Sequence, residues 1–404
     1  MNQIKDILRT YSQQITLFFI IACLVSVFFY GHAVESLTVL GFVVFSLMFL
    51  MLGVSTLHRR PLMFWVIILY YLFIIISGLW TVNSLVFWDK ILLKSTLIAI
   101  PFCFLVQNPL KEKYIDIFTK SYVVLILVST CYVLGHLFLD YTQILEELKE
   151  GRPMPVPMRS HIRYSILVTV ALILALQKFN SIHHRVKKIS LVWLLVFLYL
   201  IIFIHVLAVK VGIVICFIIL ISFSVHKILQ SKKFFLGIWI LASFLTFSLF
   251  AITNIPSLKN KLGYFRYDVT MFKNQMPKNY SDSERILSIQ EGIKIAKQHW
   301  LLGVGEGGIY PFITLMKPDN EPILPHNQFV MTWASYGIVG LLLLCMIFLM
   351  CILESIRERN WMLFAYTFSM LFAFMIEPML ETQIGVLVFV LPLCYFYQLK
   401  FVYK

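Results

Sequence analysis

The polar side chains that could do chemistry stand at the ends of apolar segments. Arg285 follows Ser281-Asp282-Ser283-Glu284, a capping-box pattern that predicts the start of a helix. Unpaired backbone N–H groups and the positive end of the helix dipole favour an anion there, and a guanidinium can hold phosphate through two parallel hydrogen bonds. Arg285 is therefore a candidate phosphate ligand. A solvated arginine, or a pair with Glu284, explains the position equally well.

A histidine is the second candidate. His326 lies in Pro325-His326-Asn327-Gln328, directly before a long apolar segment. An imidazole titrates near neutrality, so His326 could transfer a proton, with Asn327 and Gln328 as possible supporting groups. The competing interpretation is a hydrogen-bonded structural histidine.

Further cations stand at other segment ends. Lys210 lies in a connection of a few residues between two apolar segments, where an ionisable group is a functional candidate, although its side chain could also extend to the membrane surface. Arg159, His161 and Arg163 precede or begin another apolar segment. They could extend a cationic pocket or contact lipid phosphate.

Acidic residues complete the set of candidates. Glu377 and Glu381 lie in the last turn between apolar segments, where they could orient a cation or bind a sugar hydroxyl, although helix-end solvation is an alternative. Capping accounts for the pair Asp282 and Glu284. The seven cysteines all fall in apolar segments without a Cys-x-x-Cys pair. We therefore expect no metal, no disulfide and no cofactor.

The elements that must position these residues are membrane-spanning helices. The chain has 404 residues, of which 60% are hydrophobic and only 13% charged, which excludes an ordinary soluble domain. We predict a single all-α polytopic membrane domain over residues 1–404. The apolar runs predict twelve transmembrane helices at 15–30, 37–57, 62–80, 87–106, 121–139, 162–178, 189–207, 211–229, 234–253, 328–352, 361–376 and 384–402.

Charge distribution predicts the orientation. With both termini cytoplasmic, the inner segments hold 18 Lys and Arg against five Asp and Glu. The net charge of +14 is thus attributed to loops that face anionic membrane lipid rather than to nucleic-acid binding. Two longer segments, 140–163 and 254–325, are then periplasmic loops, and the second contains an amphipathic helix. Gly303 to Gly308 fits G-x-G-x-x-G, but no strand precedes it, so we do not predict a dinucleotide site.

Several motifs of the second half together resemble the O-antigen ligase family. The resemblance covers roughly residues 200–390, and includes a long outer loop late in a twelve-helix chain. The motifs are Ser283-Glu284-Arg285, Gly292-Ile293, Trp300-Leu301-Leu302-Gly303-Val304-Gly305, Pro325-His326-Asn327-Gln328-Phe329 and Gly337-Ile338-Val339-Gly340.

The resemblance implies an inverting, metal-independent glycosyltransferase in the bacterial inner membrane, with its active site facing the periplasm. The donor would be a glycan on undecaprenyl diphosphate, and the acceptor a sugar hydroxyl of lipid A-core. Arg285 and a second cation would bind the diphosphate, and His326 would act on the acceptor. Relatives usually have arginine where this chain has Lys210, so Lys210 and Arg163 are both candidates for the second cation.

Three other functions stay open at this point. An O-antigen polymerase or a protein O-oligosaccharyltransferase would share the donor and the long loop. A transporter or lipid flippase would instead show interrupted helices in two related halves, and the late loop has no counterpart in the first half.

Overall fold

The computed structural model describes residues 2–29, 32–53, 61–182, 187–231, 234–274, 281–316 and 323–399, and within these ranges all regular structure is helical. Short 3-10 helices occupy Ser77–Leu79 and Met379–Glu381. In chain order the α-helices are α1 (Asn2–Ser26), α2 (His32–Met51), α3 (Leu62–Ile76), α4 (Ser84–Lys94), α5 (Thr96–Val106), α6 (Glu112–Leu139), α7 (Tyr141–Lys149), α8 (His161–Ile182), α9 (Lys187–Leu207), α10 (Lys210–Ser231), α11 (Phe234–Asn254), α12 (Pro256–Lys273), α13 (Ser281–Gln298), α14 (Ile309–Met316), α15 (Gln328–Arg357), α16 (Trp361–Ile376) and α17 (Gln383–Gln398).

Eight helices are long and apolar enough to cross a membrane, and each coincides with one of the twelve predicted spans. They lie at Ala33–Met51, Leu62–Leu79, Glu112–Leu139, His161–Ser181, Lys188–Leu207, Lys210–Gln230, Gly237–Asn254 and Gln328–Arg357. Three further predicted spans correspond to shorter apolar helices, at Thr10–Ser26, Trp361–Ile376 and Gln383–Gln398. The chain is a multi-pass helical membrane protein, as the composition predicted.

The predicted span 87–106 is not one helix. It consists of α4 and α5, of 11 residues each, separated at Ser95. Neither is long enough to cross a hydrocarbon core of about 30 Å by itself, because a helix rises only about 1.5 Å per residue. The break leaves Lys94 as the last residue of α4, with only 1% of the residue exposed. A buried ammonium requires partners, and the break allows them to reach it.

The predicted loops contain more helix than their sequence pattern indicated. Segment 140–163 includes α7, and segment 254–325 includes α12 and α14 besides the predicted α13. The side chain of Ser281, the predicted cap of α13, lies outside the described residues. The carboxylate of Asp268 accepts hydrogen bonds from the backbone N–H groups of Asp282 (2.8 Å) and Ser283 (3.4 Å), so α12 caps α13.

The chain groups into two compact units. Unit 1 comprises Met1–Phe118, Arg285–Arg359 and Met370–Lys404, and unit 2 comprises Thr119–Glu284 and Asn360–Ser369. In unit 1, α3 packs on α15, and α5 packs on both α2 and α17. In unit 2, α8 packs on α9 and α10, α10 packs on α11, and α12 packs on α7.

In unit 1, a glycine-rich loop after α13 lies against a kink in α15 at Gly337. Gly303 and Gly337 both have positive φ, at 69° and 64°, and a Cβ on Gly303 would lie 2.4 Å from the carbonyl carbon of Ser335. Three backbone hydrogen bonds join the loop to the kink: Val304 N to Ala334 O (3.0 Å), Gly305 N to Ser335 O (2.9 Å) and Ile338 N to Trp300 O (2.8 Å). The glycines therefore serve close backbone packing and do not form a phosphate-binding turn.

We expect Gly303→Ala to lower the thermal unfolding midpoint of the detergent-solubilised protein by several degrees. A left-handed backbone costs about 1–2 kcal/mol for a residue with a Cβ, and here the Cβ also meets the Ser335 backbone. Gly135→Ala in α6 is the matched control, because no heavy atom lies within 4 Å of its added Cβ. Equal midpoints for the two variants would contradict this account of the loop.

Candidate active site

The segment that carries His326 lies against the turn of α13 that begins at Arg285, the other main candidate. Ser288 follows Arg285 by three residues and so lies on the same helix face. Its hydroxyl donates to the carbonyl oxygen of Arg285 (2.8 Å), accepts from the backbone N–H of His326 (3.2 Å) and lies 3.3 Å from His326 Nδ1. Ser288 thus links the segment that carries the imidazole to the turn that carries the guanidinium.

The approach of this segment to α13 depends on Gly292. A Cβ at Gly292 would lie 2.6 Å from the Cγ of Pro325 and 2.8 Å from Cγ1 of Val330. The missing side chain therefore leaves the space that the residues around His326 occupy. This explains in packing terms why Gly292 stands one turn beyond Ser288.

Arg285 pairs with an acidic residue in the turn between α16 and α17. Its Nη2 lies 3.5 Å from Glu377 Oε1, and the two side chains are 22% and 12% exposed. Neither is a freely solvated residue, and the observed partner of Arg285 is Glu377 rather than the adjacent Glu284. The separation is longer than a normal charge-assisted hydrogen bond, so the pair is a loose one.

The turn that carries Glu377 is also tied to the residues after His326. Asn327 caps α15, since its Oδ1 accepts from the N–H of Val330 (3.1 Å), and its Nδ2 donates to the carbonyl oxygen of Met375 (3.0 Å). Gln328, fully buried, accepts from the N–H of Leu380 (2.8 Å). Asn327 and Gln328 therefore connect the His326 segment to the Glu377 turn.

Beside this turn lies a buried ion cluster, formed by Lys90, Lys94, Glu306 and Glu381. The Lys94 ammonium donates to Glu306 (2.7 and 2.9 Å), to Glu381 (2.8 Å) and to the Tyr336 hydroxyl (2.9 Å). Lys90 donates to the second oxygen of Glu381 (3.2 Å). The side chains of Lys94, Glu306 and Glu381 are at most 3% exposed. Two carboxylates and two ammonium groups thus balance in an interior that would not tolerate an unpaired charge.

The two carboxyl groups of the cluster titrate differently. Burial raises the pKa of Glu306 to about 7, although the charge of Lys94 opposes the shift. Burial acts on Glu381 in the same direction, but the charges of Lys94 and Lys90 outweigh it and lower the pKa of Glu381 to about 2. The two shifts differ in direction because two cations act on Glu381, whereas at Glu306 the effect of burial exceeds that of Lys94.

Sequence reasoning did not identify Glu306 or the lysines as partners. Lys94 lies inside the predicted span 87–106, and Glu306 lies within the run from Gly303 to Gly308. The available signal was an isolated acid in an apolar, glycine-rich segment together with an isolated lysine in an apolar span, since buried charges of opposite sign tend to pair.

The remaining candidates lie in unit 2. The Lys210 ammonium donates to both carboxylate oxygens of Asp282 (3.0 and 2.9 Å) and lies 4.1 Å from the centre of the Phe265 ring. Arg163 and His161 stand in the first turn of α8, where the Ser160 hydroxyl accepts from the N–H of Arg163 (3.3 Å). Lys210 thus serves the N-terminal turn of α13 in this structure.

Among the described residues, no group of three or more His, Cys, Asp or Glu side chains is arranged to hold a metal ion.

We expect Lys94→Met to lower the thermal unfolding midpoint strongly, because it leaves two buried carboxylates without their shared cation, a loss of about 3–5 kcal/mol. Adding Glu306→Gln should recover part of the loss, since Lys90 still pairs with Glu381. Lys294→Met is the control: Lys294 pairs with Glu291 at 3.3 Å but is 61% exposed, and such pairs contribute about 1 kcal/mol at most. A Lys94→Met midpoint equal to that of the control would show that the cluster is not needed for the fold.

The comparisons with known proteins concern about half of the chain. Residues 158–345 match the family model described as O-Antigen ligase. No match is found among curated proteins. The matched segment contains Arg163, Lys210, Arg285, Glu306 and His326, and it indicates an enzyme of the ligase or polymerase type. The resemblance seen in the sequence is thereby confirmed, and over residues 158–345 the chain is similar to the O-antigen ligase family.

Proposed function

We propose that the protein transfers a glycan from undecaprenyl diphosphate to a sugar hydroxyl of lipid A-core, at the periplasmic face of the bacterial inner membrane. The observation that supports this proposal is the contact of His326 with Ser288, which lies one turn after Arg285 on α13. Such a transfer needs a cation for the departing diphosphate and a base for the attacking hydroxyl. Unit 1 supplies both types of group, with Arg285 on α13 and His326 in the segment that packs on the same helix.

Arg285 neutralises the leaving group. Its guanidinium lies 3.5 Å from the Glu377 carboxylate, in a loose pair. A diphosphate carries more negative charge than a carboxylate and can accept two parallel hydrogen bonds, so it displaces Glu377 from Arg285. The contact strengthens as negative charge develops on the diphosphate, which is where catalysis gains most.

His326 removes the acceptor proton, and Ser288 selects the tautomer that can do so. Ser288 has one hydroxyl proton and donates it to the Arg285 carbonyl, so its oxygen accepts from His326. Nδ1 then carries the ring proton, and the lone pair lies on Nε2. Nε2 takes the proton of the acceptor hydroxyl as the oxygen attacks the anomeric carbon. The bond from that carbon to the diphosphate breaks, and a single displacement inverts the configuration.

We expect His326→Ala to lower turnover by about 100-fold or more while the protein remains membrane-inserted. Ser288→Ala should lower turnover less than His326→Ala does. It should also change the pH profile of turnover, because Ser288 no longer fixes the tautomer of the imidazole. The assay uses purified protein and a defined lipid-linked glycan as donor. Transfer to lipid A-core indicates a ligase, and transfer to a second lipid-linked unit indicates a polymerase. His136→Ala, at a partly exposed histidine of α6, is the control. Unchanged transfer in His326→Ala would remove the proposed base.

The second diphosphate cation is either Lys210 or Arg163, and Asp282 allows a test. If Lys210 binds the donor, Lys210→Ala raises the KM for the donor and Lys210→Arg preserves it. Asp282→Asn does not raise this KM, because the Lys210 ammonium stays available. If Lys210 only anchors α13, Lys210→Ala and Asp282→Asn lower the thermal midpoint alike without changing KM. A donor KM raised by Arg163→Ala alone would assign the role to Arg163.

A further inference from the structure

The short helix α4 has its polar face inside the protein and its apolar face outside. Leu85, Trp88 and Leu92 are 79%, 60% and 69% exposed, and they share one helix face because they are spaced by three and four residues. The opposite face carries Lys90 and Lys94, which are held in the ion cluster. A helix that faces water shows the reverse arrangement. The exposed face of α4 therefore fits an apolar environment.

Asp89 limits how deep in such an environment α4 can lie. It stands at the edge of the apolar face and is the one charged residue exposed on α4, a helix whose residues are all described. A carboxylate without a partner is strongly unfavourable in the centre of a bilayer. A helix of this kind is suited to the boundary between hydrocarbon and headgroups, where an acidic side chain still reaches water.

A second exposed apolar segment follows α13. Trp300, Leu301 and Leu302 are consecutive and are 58%, 48% and 43% exposed, and they form what we call the Trp300 corner. The backbone of this corner is fixed on α15. The carbonyl oxygen of Trp300 accepts from the backbone N–H of Ile338 (2.8 Å) and from the indole N–H of Trp333 (3.3 Å). The apolar side chains are thus exposed from a segment with a defined position.

The glycine-rich loop joins the Trp300 corner to the start of α4. The Gly307 N–H donates to the Thr81 hydroxyl (2.8 Å), and the Glu306 N–H lies 3.3 Å from the Ser77 hydroxyl oxygen that accepts from it. The carbonyl oxygen of Asn83, the cap of α4, occupies the space that a Cβ on Gly307 would need. The exposed residues of α4 and of the corner therefore form one surface of unit 1, the α4–Trp300 surface.

The length of α15 gives the depth of this surface. Near its C-terminal end, Leu353 is 50% exposed and stands directly before the charged Glu354. A hydrocarbon core of about 30 Å takes about 20 residues of helix, which, counted back from Leu353, reach Trp333. Tryptophan is enriched at this boundary, and Trp333 is the residue whose indole binds Trp300. The Trp300 corner is therefore level with the edge of the hydrocarbon.

We propose that the α4–Trp300 surface inserts into the membrane leaflet around the first turns of α15, and that lipid acyl chains cover it. Continuity favours lipid over a second protein, because the surface adjoins a membrane span whose Leu342, Met346 and Leu349 are exposed along one face. Each part of the surface also carries a tryptophan, Trp88 or Trp300, and indole rings favour the headgroup level. Since Trp300 is bonded to α15, the insertion fixes the C-terminal end of α13 at that depth.

Collision-based electron paramagnetic resonance of the full chain in nanodiscs tests the insertion. A nitroxide is attached at Leu85 or Leu301 through a ketone-bearing residue, which spares the native cysteines. We expect the ratio of oxygen to nickel-chelate collision rates at both positions to exceed that at Lys294 at least about tenfold, because hydrocarbon excludes a polar chelate. Lys294, 61% exposed on α13, is the water control, and Leu342 of α15 is the membrane control.

Two results of this measurement would overturn the proposal. A ratio at Leu301 equal to that at Lys294 would place the Trp300 corner in water. Low collision rates with both reagents would indicate that a second copy of the chain, and not lipid, covers the surface.

Fluorescence quenching by lipids brominated near the headgroup provides an independent measurement. Trp300→Phe and Trp88→Phe should each lower the fraction of tryptophan fluorescence that is quenched, because each removes an indole in contact with lipid. Trp361→Phe is the matched control and should not lower this fraction, since Trp361 is only 6% exposed. An unchanged quenched fraction in Trp300→Phe would contradict the insertion of the corner.

The depth of α13 matters for catalysis because both substrates of the proposed reaction are lipids. That consequence rests on the proposed function, whereas the insertion does not. Neither measurement requires glycan transfer, so failure of the proposed function is distinguishable from failure of the insertion.

Discussion

One buried ammonium group shared by two carboxylates is the interaction on which unit 1 depends. Lys94, on α4, binds Glu306 in the glycine-rich loop and Glu381 in the turn between α16 and α17. Each of these groups would be strongly unfavourable in an apolar interior by itself, so the three segments that carry them must stay together. The broken span at Ser95 and the close backbone packing around Gly303 are the structural conditions for this contact.

The turn held by the ion cluster reaches the candidate catalytic residues directly. Glu377, four residues before Glu381, pairs with Arg285. The backbone N–H of Leu380, next to Glu381, donates to Gln328, which lies two residues after His326. The segment that carries His326 is thus held to the turn that carries Glu377 through Asn327 and Gln328. Preorganisation of this kind is what electrostatic catalysis requires, because charges that are already aligned need not reorganise when the reaction occurs.

Unit 2 uses its charges in a different way. Lys210 is neutralised by Asp282, and Asp268 is consumed in capping α13, so these charges serve the fold in this structure. By contrast, Lys259 and Arg266 of α12 are exposed, and no ion pair is found for either among the described residues.

The sequence by itself determined the membrane class, eight spans, and the helix that carries Arg285. These properties are local, because hydrophobic length and capping patterns act within one segment. It also singled out Arg285 and His326 by residue type and position. Tertiary structure alone decided the break at Ser95, the helix α12 and the partners of Lys94. Lys94 and Glu306 are 212 residues apart, and α12 lacks a clear apolar period, so neither feature leaves a signal in one segment. Contacts between distant segments choose which charge pairs with which, and periodicity does not encode that choice.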